Sequence, residues 1–255
     1  MQRISVVLAV FNEENYLDQC LESVKDFAWE TVIVDGGSTD GTLKIAKKYK
    51  AAVVSTNNPK NFHINKNKAI DKAKGDWVLQ LDADEVVTKD LKKEILEKVN
   101  DITINGFWIP RKNYFLGKFL TKGGQYPDYT LRLYRKGKGR LPAEDVHEQA
   151  AVEGEKQYLK HDLLHVRDKS FSEYMYRFNR YTSLIAIQMR DSGVTISTIS
   201  FLNYILFKPF VWFVKVYFRH RGYVDGFPGF VFAFFSSLRF SVAYIKMWSS
   251  YKKVI

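Results

Sequence analysis

Trp77-Val78-Leu79-Gln80-Leu81-Asp82-Ala83-Asp84-Glu85 decides the reading of this chain, because an apolar β-type run ends in two carboxylates one residue apart. Paired oxygen ligands on a rigid strand end suit a hard cation, Mg²⁺ or Mn²⁺, which keeps coordination positions for water and phosphate oxygens. A nucleotide diphosphate is the guest that such a site implies. An acidic turn can show the same residues, so the surrounding sequence has to discriminate.

Upstream, β-rich runs at residues 4–10, 31–34 and 52–55 precede the strand at 77–81. Between them lie apolar positions at helical spacing: Leu17/Cys20/Leu21/Val24, Thr42/Ile45/Ala46/Tyr49 and Ala69/Ile70/Ala73. A fourth helix is expected after Thr88 as N-cap, with Leu91, Ile95 and Val99 facing the core. Strand and helix in alternation specify βαβ units and a mostly parallel sheet. On that scaffold Asn12-Glu13-Glu14 follows strand one, Asp35-Gly36-Gly37-Ser38-Thr39-Asp40-Gly41-Thr42 follows strand two, and Asp82/Asp84 follow strand four. All three fall at carboxyl ends, the edge where open α/β sheets bind ligands.

Past residue 100 the alternation breaks. Strands are expected at 106–110 and 129–134, then the turn Lys136-Gly137-Lys138-Gly139, then the cluster Glu144-Asp145-Val146-His147-Glu148, then a helix over 170–189 with Tyr174, Phe178, Tyr181 and Ile185 on one face.

Three motifs together resemble the inverting family 2 glycosyltransferases: Ala9-Val10-Phe11-Asn12-Glu13-Glu14, Val34-Asp35 through Thr42, and Gly75-Asp76-Trp77 leading to Asp82-Ala83-Asp84-Glu85. Val146-His147-Glu148, His165 and Gly222-Tyr223-Val224-Asp225-Gly226-Phe227 extend the likeness to the branch that includes lipopolysaccharide core glucosyltransferases. The resemblance implies a GT-A type nucleotide-sugar-binding α/β domain over 1–168, with a donor half to about 100 and an acceptor half beyond, followed by a helical, aromatic-rich membrane-associating extension over 169–255.

It further implies roles. Asp35 accepts a hydrogen bond from the nucleobase, with Asn12 and Glu14 as nucleotide contacts beside it. Lys66 and Asn67 stand where the family has Arg-Asn, a departure because Lys lacks the bidentate fork; the alternative is a pair of solvated helix residues. Asp84 binds the metal directly, and Asp82 shares that task or holds the ribose. An inverting transfer needs a base near the acceptor hydroxyl. Asp145 or Glu148 fills that place, with His147 orienting the base or approaching the metal, and His165 is a third candidate metal ligand. Arg132 and Arg135 either contact the diphosphate or decorate a strand. Asp40 reads as a turn former, and Glu85 as the first residue of the next helix.

The chain has 255 residues, 46% of them hydrophobic, a net charge of +11 and one cysteine, Cys20, which excludes an intramolecular disulfide framework. Residues 199–255 hold eight Lys/Arg against the single Asp225, so the basic charge concentrates in the tail. Its stretch at 199–218 contains Lys208 and Lys215 and is broken by Pro209, and the stretch at 227–238 is about a dozen residues, too short to span a bilayer. Both suit an in-plane or re-entrant anchor on an anionic membrane surface, placing the protein on the cytoplasmic, inner face of the cell membrane. The N-terminus reads as strand rather than signal peptide. Neither G-x-G-x-x-G nor G-x-x-x-x-G-K-[ST] occurs at a strand–helix junction, which argues against a dehydrogenase or P-loop enzyme, and no nucleic-acid module is present. The expected partners are a nucleotide-diphosphate sugar, a UDP-sugar ahead of others, and a lipid-linked glycan acceptor. The competing readings are a polyprenyl-phosphate glycosyltransferase, a nucleotidyltransferase and a catalytically silent sugar-nucleotide binder.

Overall fold

The computed structural model describes residues 2–59, 61–142, 149–167 and 170–251. Asp145, His147 and Glu148 lie outside the described residues. The elements in order are β1 (Ile4–Val10), α1 (Leu17–Val24), β2 (Glu30–Asp35), α2 (Thr42–Lys48), β3 (Ala52–Ser55), α3 (His63–Lys72), β4 (Trp77–Gln80), β5 (Glu85–Val87) and α4 (Lys89–Lys98). They continue with β6 (Gly106–Phe115), β7 (Lys118–Phe119), β8 (Asp128–Arg135), β9 (Gly139–Arg140), β10 (Ala151–Val152), β11 (Lys156–Tyr158) and β12 (Leu163–His165). Helices α5 (Phe171–Asp191), α6 (Thr198–Phe201), α7 (Lys208–Val214) and α8 (Gly226–Tyr251) complete the chain. Two compact units result: Met1–Lys112 with Asp128–Val166, and Asn113–Pro127 with Arg167–Ile255. The segment Asn113–Pro127, which falls in the acceptor half by sequence, groups with the helical unit.

In the first unit the strand order is β3-β2-β1-β4-β8-β6-β12-β5. β1 runs parallel to β2 and β4, and β2 to β3, whereas β8 is antiparallel to both β4 and β6. The chain winds outward from β1 to β3 and then crosses back to β4, so the carboxyl ends of β1 and β4 flank a topological switch point, where α/β sheets open a ligand crevice.

Period-two alternation explains how the strands serve two layers. Ile4, Val6 and Leu8 pack with Leu17, Cys20 and Leu21 of α1 and with Leu91 and Ile95 of α4, while Val7 points the other way to Ala69, Ile70 and Ala73. Each fully buried aliphatic side chain contributes about 1.5–3 kcal/mol. Thr88 caps α4 through its hydroxyl, which accepts from the Leu91 N–H at 3.2 Å. Gly75 enters β4 where a side chain has no room, since a Cβ would lie 2.8 Å from the Arg3 carbonyl oxygen.

The second unit corrects three expectations. Pro209 does not break the tail: helix runs on from Thr198 to Arg219, and the proline, which has no N–H to donate, comes just after the wider π turn at Leu202–Phe207. The following apolar stretch is not a dozen residues but a 29-residue helical segment, Gly222–Ser250, long and apolar enough by composition to cross a membrane. On α5 the buried side chains are Tyr174, Thr182, Ala186 and Met189, while Tyr181 is exposed.

Asp225, 2% exposed, ties this unit to its hairpin: it accepts from the Thr121 and Lys122 N–H groups at 2.9 and 2.8 Å and from the Thr121 hydroxyl at 2.8 Å. Burial works to raise its pKa, but these donors and Lys118 prevail and hold it below the usual carboxylate value. A depressed folded-state pKa stabilises above the unfolded value of about 3.9 and is lost as pH falls through the folded value. In thermal melts below about pH 4, Asp225→Asn is expected to show a shallower acid-induced fall than the parent. An identical acid limb in both proteins would refute this.

Candidate active site

Two loops form the floor at the carboxyl edge. Asn12 sits at φ 55°, in the left-handed region that asparagine tolerates better than most residues. Its N–H donates to Ser38 Oγ at 2.9 Å and its Oδ1 accepts from the Thr39 N–H at 2.8 Å. The Glu13 N–H donates to Thr42 Oγ1 at 2.8 Å, the Glu14 N–H to Asp40 Oδ2 at 3.1 Å, and Glu14 Oε2 accepts from the Gly41 N–H at 2.7 Å. Asp40 also accepts from the Thr42 N–H at 3.0 Å, the turn-forming role expected of it. Asp35, 1% exposed at the end of β2, accepts from the N–H groups of Gly37 and Ser38 at 3.0 and 3.1 Å.

Across the switch point lies a cluster of charges. Asp82 is flanked on both oxygens: Lys66 Nζ is 2.5 Å from Oδ1, and Arg132 Nη2 pairs with Oδ2. Burial alone would raise the Asp82 pKa, but the charges of Arg132 and Lys66 override it and hold the carboxyl well below the usual range. Lys66 is 4% exposed, so the solvated-helix alternative fails; burial pushes its ammonium pKa down while Asp82 resists. Asn67 faces elsewhere. Its Nδ2 donates to the Leu141 carbonyl at 2.9 Å and its Oδ1 accepts from the Leu141 N–H at 3.1 Å, so the amide clamps a backbone segment rather than the acidic turn.

Glu85 is the residue that sequence reasoning missed. It opens strand β5 rather than a helix, and it is fully buried. Its Oε1 accepts from Arg132 Nη2 at 2.7 Å and lies 3.4 Å from Arg111 Nη1, and its Oε2 accepts from the Asp82 N–H at 2.9 Å. The signal was the β-branched pair Val86-Val87 just after it. Arg132 reaches this place through a bulge. On β6 the adjacent Phe107 and Trp108 pair with Leu133 and Leu131, leaving Arg132 as the extra residue, and bulges re-aim side chains in this way. Arg135 proves structural, donating to the carbonyls of Ile104 and Asp101 and lying over the Trp77 ring.

Asp84 is 2% exposed, and its Oδ2 lies 3.2 Å from His165 Nε2. The contact exists because β12 pairs antiparallel with β5, setting His165 opposite Glu85. Among the described residues no group of three His, Cys, Asp or Glu side chains is arranged to hold a metal. The donor pair nearest to that task is Asp84 with His165, while Asp82 is committed to two protein cations. Cys20 lies outside the chemistry: burial pushes its thiol pKa well above the ordinary range, and its Sγ donates to the Asp82 carbonyl at 3.5 Å.

A mixed, largely parallel sheet with carboxylates gathered at its switch point defines a GT-A type nucleotide-sugar-binding glycosyltransferase fold. The chain belongs to glycosyl transferase family 2, whose profile matches residues 5–151. It is 31% identical to the lipopolysaccharide core biosynthesis glycosyltransferase LpsC of Rhizobium meliloti over 252 residues, covering 92% of this chain and 91% of that protein. It is 27% identical to a glycosyltransferase of Rickettsia typhi, RT0209, over 94% of this chain and 86% of the relative. Among solved structures, the mannosyltransferase PcManGT of Pyrobaculum calidifontis, in complex with GDP-Man and Mn²⁺, superposes with a TM-score of 0.56 at 13% identity, covering 98% of this chain and 88% of that one. The likeness at that identity is one of fold.

Proposed function

We propose that this glycosyltransferase is metal-dependent and inverting, moving a sugar from a nucleotide-diphosphate sugar to a hydroxyl of a membrane-held glycan of the lipopolysaccharide core. The observation that carries the reading is the Asp84–His165 pair at the switch point, beside an Asp82 already neutralised by Lys66 and Arg132. A carboxylate with an imidazole fits a divalent cation of the Mn²⁺ type, the rest of whose coordination comes from water and diphosphate oxygens. When bound, that cation neutralises charge on the departing diphosphate.

The chain's own residues do the remainder. Asp35, Asn12 and Glu14 form the nucleotide floor, and Asp82 faces the ribose with its orientation fixed by two cations. Lys66 and Arg132 add positive charge where negative charge develops, which lowers the barrier without rearrangement. Asp145 or Glu148 takes the acceptor proton, with His147 orienting it. The acceptor assignment leans on the relative LpsC, named for lipopolysaccharide core biosynthesis.

A thermal-shift screen of nucleotide diphosphates and their sugars, with and without Mn²⁺, tests the donor reading. A ligand at 100 times its Kd stabilises by about 2.7 kcal/mol, so one donor should stand out and should need the metal. The product should carry the inverted anomeric configuration. Equal stabilisation with and without metal, or a retained configuration, would sink the proposal.

A further inference from the structure

The apolar stripe of the tail has an unusual period. Leu202, Leu206, Phe210, Val214 and Phe218 recur at every fourth residue, and each is between 37% and 68% exposed. In an α-helix of about 3.6 residues per turn, a strict spacing of four precesses by roughly 40° each step, so such a stripe would spiral away from one face. Here the helix holds wider π turns at Leu202–Phe207 and Lys215–Arg219, either side of α7. The wide turns rotate the stripe back, keeping all five side chains on one side. The face continues onto α8, where Phe230 packs against Phe213 and Tyr217 at 6.0 and 5.8 Å and stacks with Phe234 at 6.0 Å. An exposed apolar surface of this extent marks an interaction site.

The third helix says what covers it. α5 lies along the whole of α8: Tyr174 packs with Val231 near one end, and Ala186 and Met189 pack with Ala243 and Met247 near the other. Any crossing by α8 would carry α5 across with it. α5 carries five charges, Glu173, Arg177, Arg180, Arg190 and Asp191, which keep it out of the acyl chains although Tyr176, Leu184 and Ile187 are exposed among them. Along the apolar helix, Lys208 Nζ rests 3.8 Å from the Tyr204 ring centroid and Lys215 Nζ 5.1 Å from that of Trp212, placements typical of cations at an interface. The eight Lys/Arg of residues 199–255 against the lone Asp225 complement an acidic surface.

We infer that the helical unit docks flat on an anionic phospholipid bilayer, with the π-phased stripe and the start of α8 sunk among the acyl chains and α5 in water, and that neither long apolar helix spans the membrane. This deepens the membrane-held-acceptor reading and rests on it.

The test uses the full chain with single cysteines labelled with bimane at Leu202, Leu206, Phe210 and Val214 and, on α5, at Arg180 and Gln188. Cys20 stays in place, since it is buried and its thiol is suppressed. On vesicles of phosphatidylcholine and phosphatidylglycerol, the four stripe labels should be quenched alike by shallow lipid nitroxides, and the α5 labels by aqueous iodide. A depth profile peaking at Phe210 and shallow at Leu202 overturns the flat docking while leaving membrane binding intact. No lipid quenching anywhere overturns the membrane reading itself. Protection without vesicles, with a doubled mass, would instead make a second copy the occupant and overturn the inference. Phe210→Asp should lower the vesicle partition coefficient about tenfold or more and leave hydrolysis of the donor unchanged; unaltered partition counts against the docking face.

Discussion

Asp84→Asn is expected, on the proposed metal-dependent mechanism, to reduce sugar transfer by about 10³-fold or more, because it would remove the charge proposed to hold the cation while keeping the shape of the side chain. Asp84 is 2% exposed and 3.2 Å from His165, so the substitution leaves a hydrogen-bonding amide in the same cavity. The fold should therefore survive, and the loss should appear in kcat. A second readout separates metal loss from general damage: Mn²⁺-dependent thermal stabilisation by the donor should vanish in Asp84→Asn and weaken in His165→Ala, while the melting temperature without metal or donor stays at the parental value. Near-parental turnover in Asp84→Asn would remove the pair from the mechanism.

Arg132→Met should be the most damaging substitution for stability. One guanidinium nitrogen lies between Asp82 and Glu85, both on the far side of a 46-residue stretch of chain. Deleting the partner of a buried carboxylate, here Glu85, costs about 3–5 kcal/mol, because the charge remains without compensation. For a chain of this size that corresponds to a fall in Tm of about 10 °C. Lys66 still reaches Asp82 and Arg111 still reaches Glu85, which favours the lower end of the range. Arg132→Lys should recover part of the stability but not the activity, since a single ammonium cannot reproduce the geometry of the fork. A variant Arg132→Met that melts like the parent would show the cluster to be dispensable to the fold.

The first hundred or so residues were legible because local pattern and tertiary outcome agree there. The runs at 4–10 and 52–55 coincide with β1 and β3, and Thr88 caps α4 as its position predicts. Legibility failed where partners are distant in sequence. Glu85 read as a helix start because the strand that pairs with it lies about eighty residues later, at β12. Arg132 was ambiguous because only a bulge decides which way it points, and that register depends on β6. Asn67 looked like a nucleotide contact until Leu141 appeared against it. In the tail, Arg239 seemed to end the second apolar stretch. The helix continues because that guanidinium lies over the Trp212 and Phe240 rings, 4.3 and 4.8 Å from their centroids.

The hydrogen bonds between the Asn12–Glu14 turn and the Ser38–Thr42 turn carry a consequence for how variants combine. Each turn also has bonds of its own, such as that from the Thr42 N–H to Asp40, and the bonds between them link the two βα loops into one network. Residues within one network couple by about 0.5–3 kcal/mol. Asn12→Ala and Ser38→Ala together should therefore cost clearly less than the sum of the two single changes, and evolution can remodel this edge of the sheet only by altering both loops in concert.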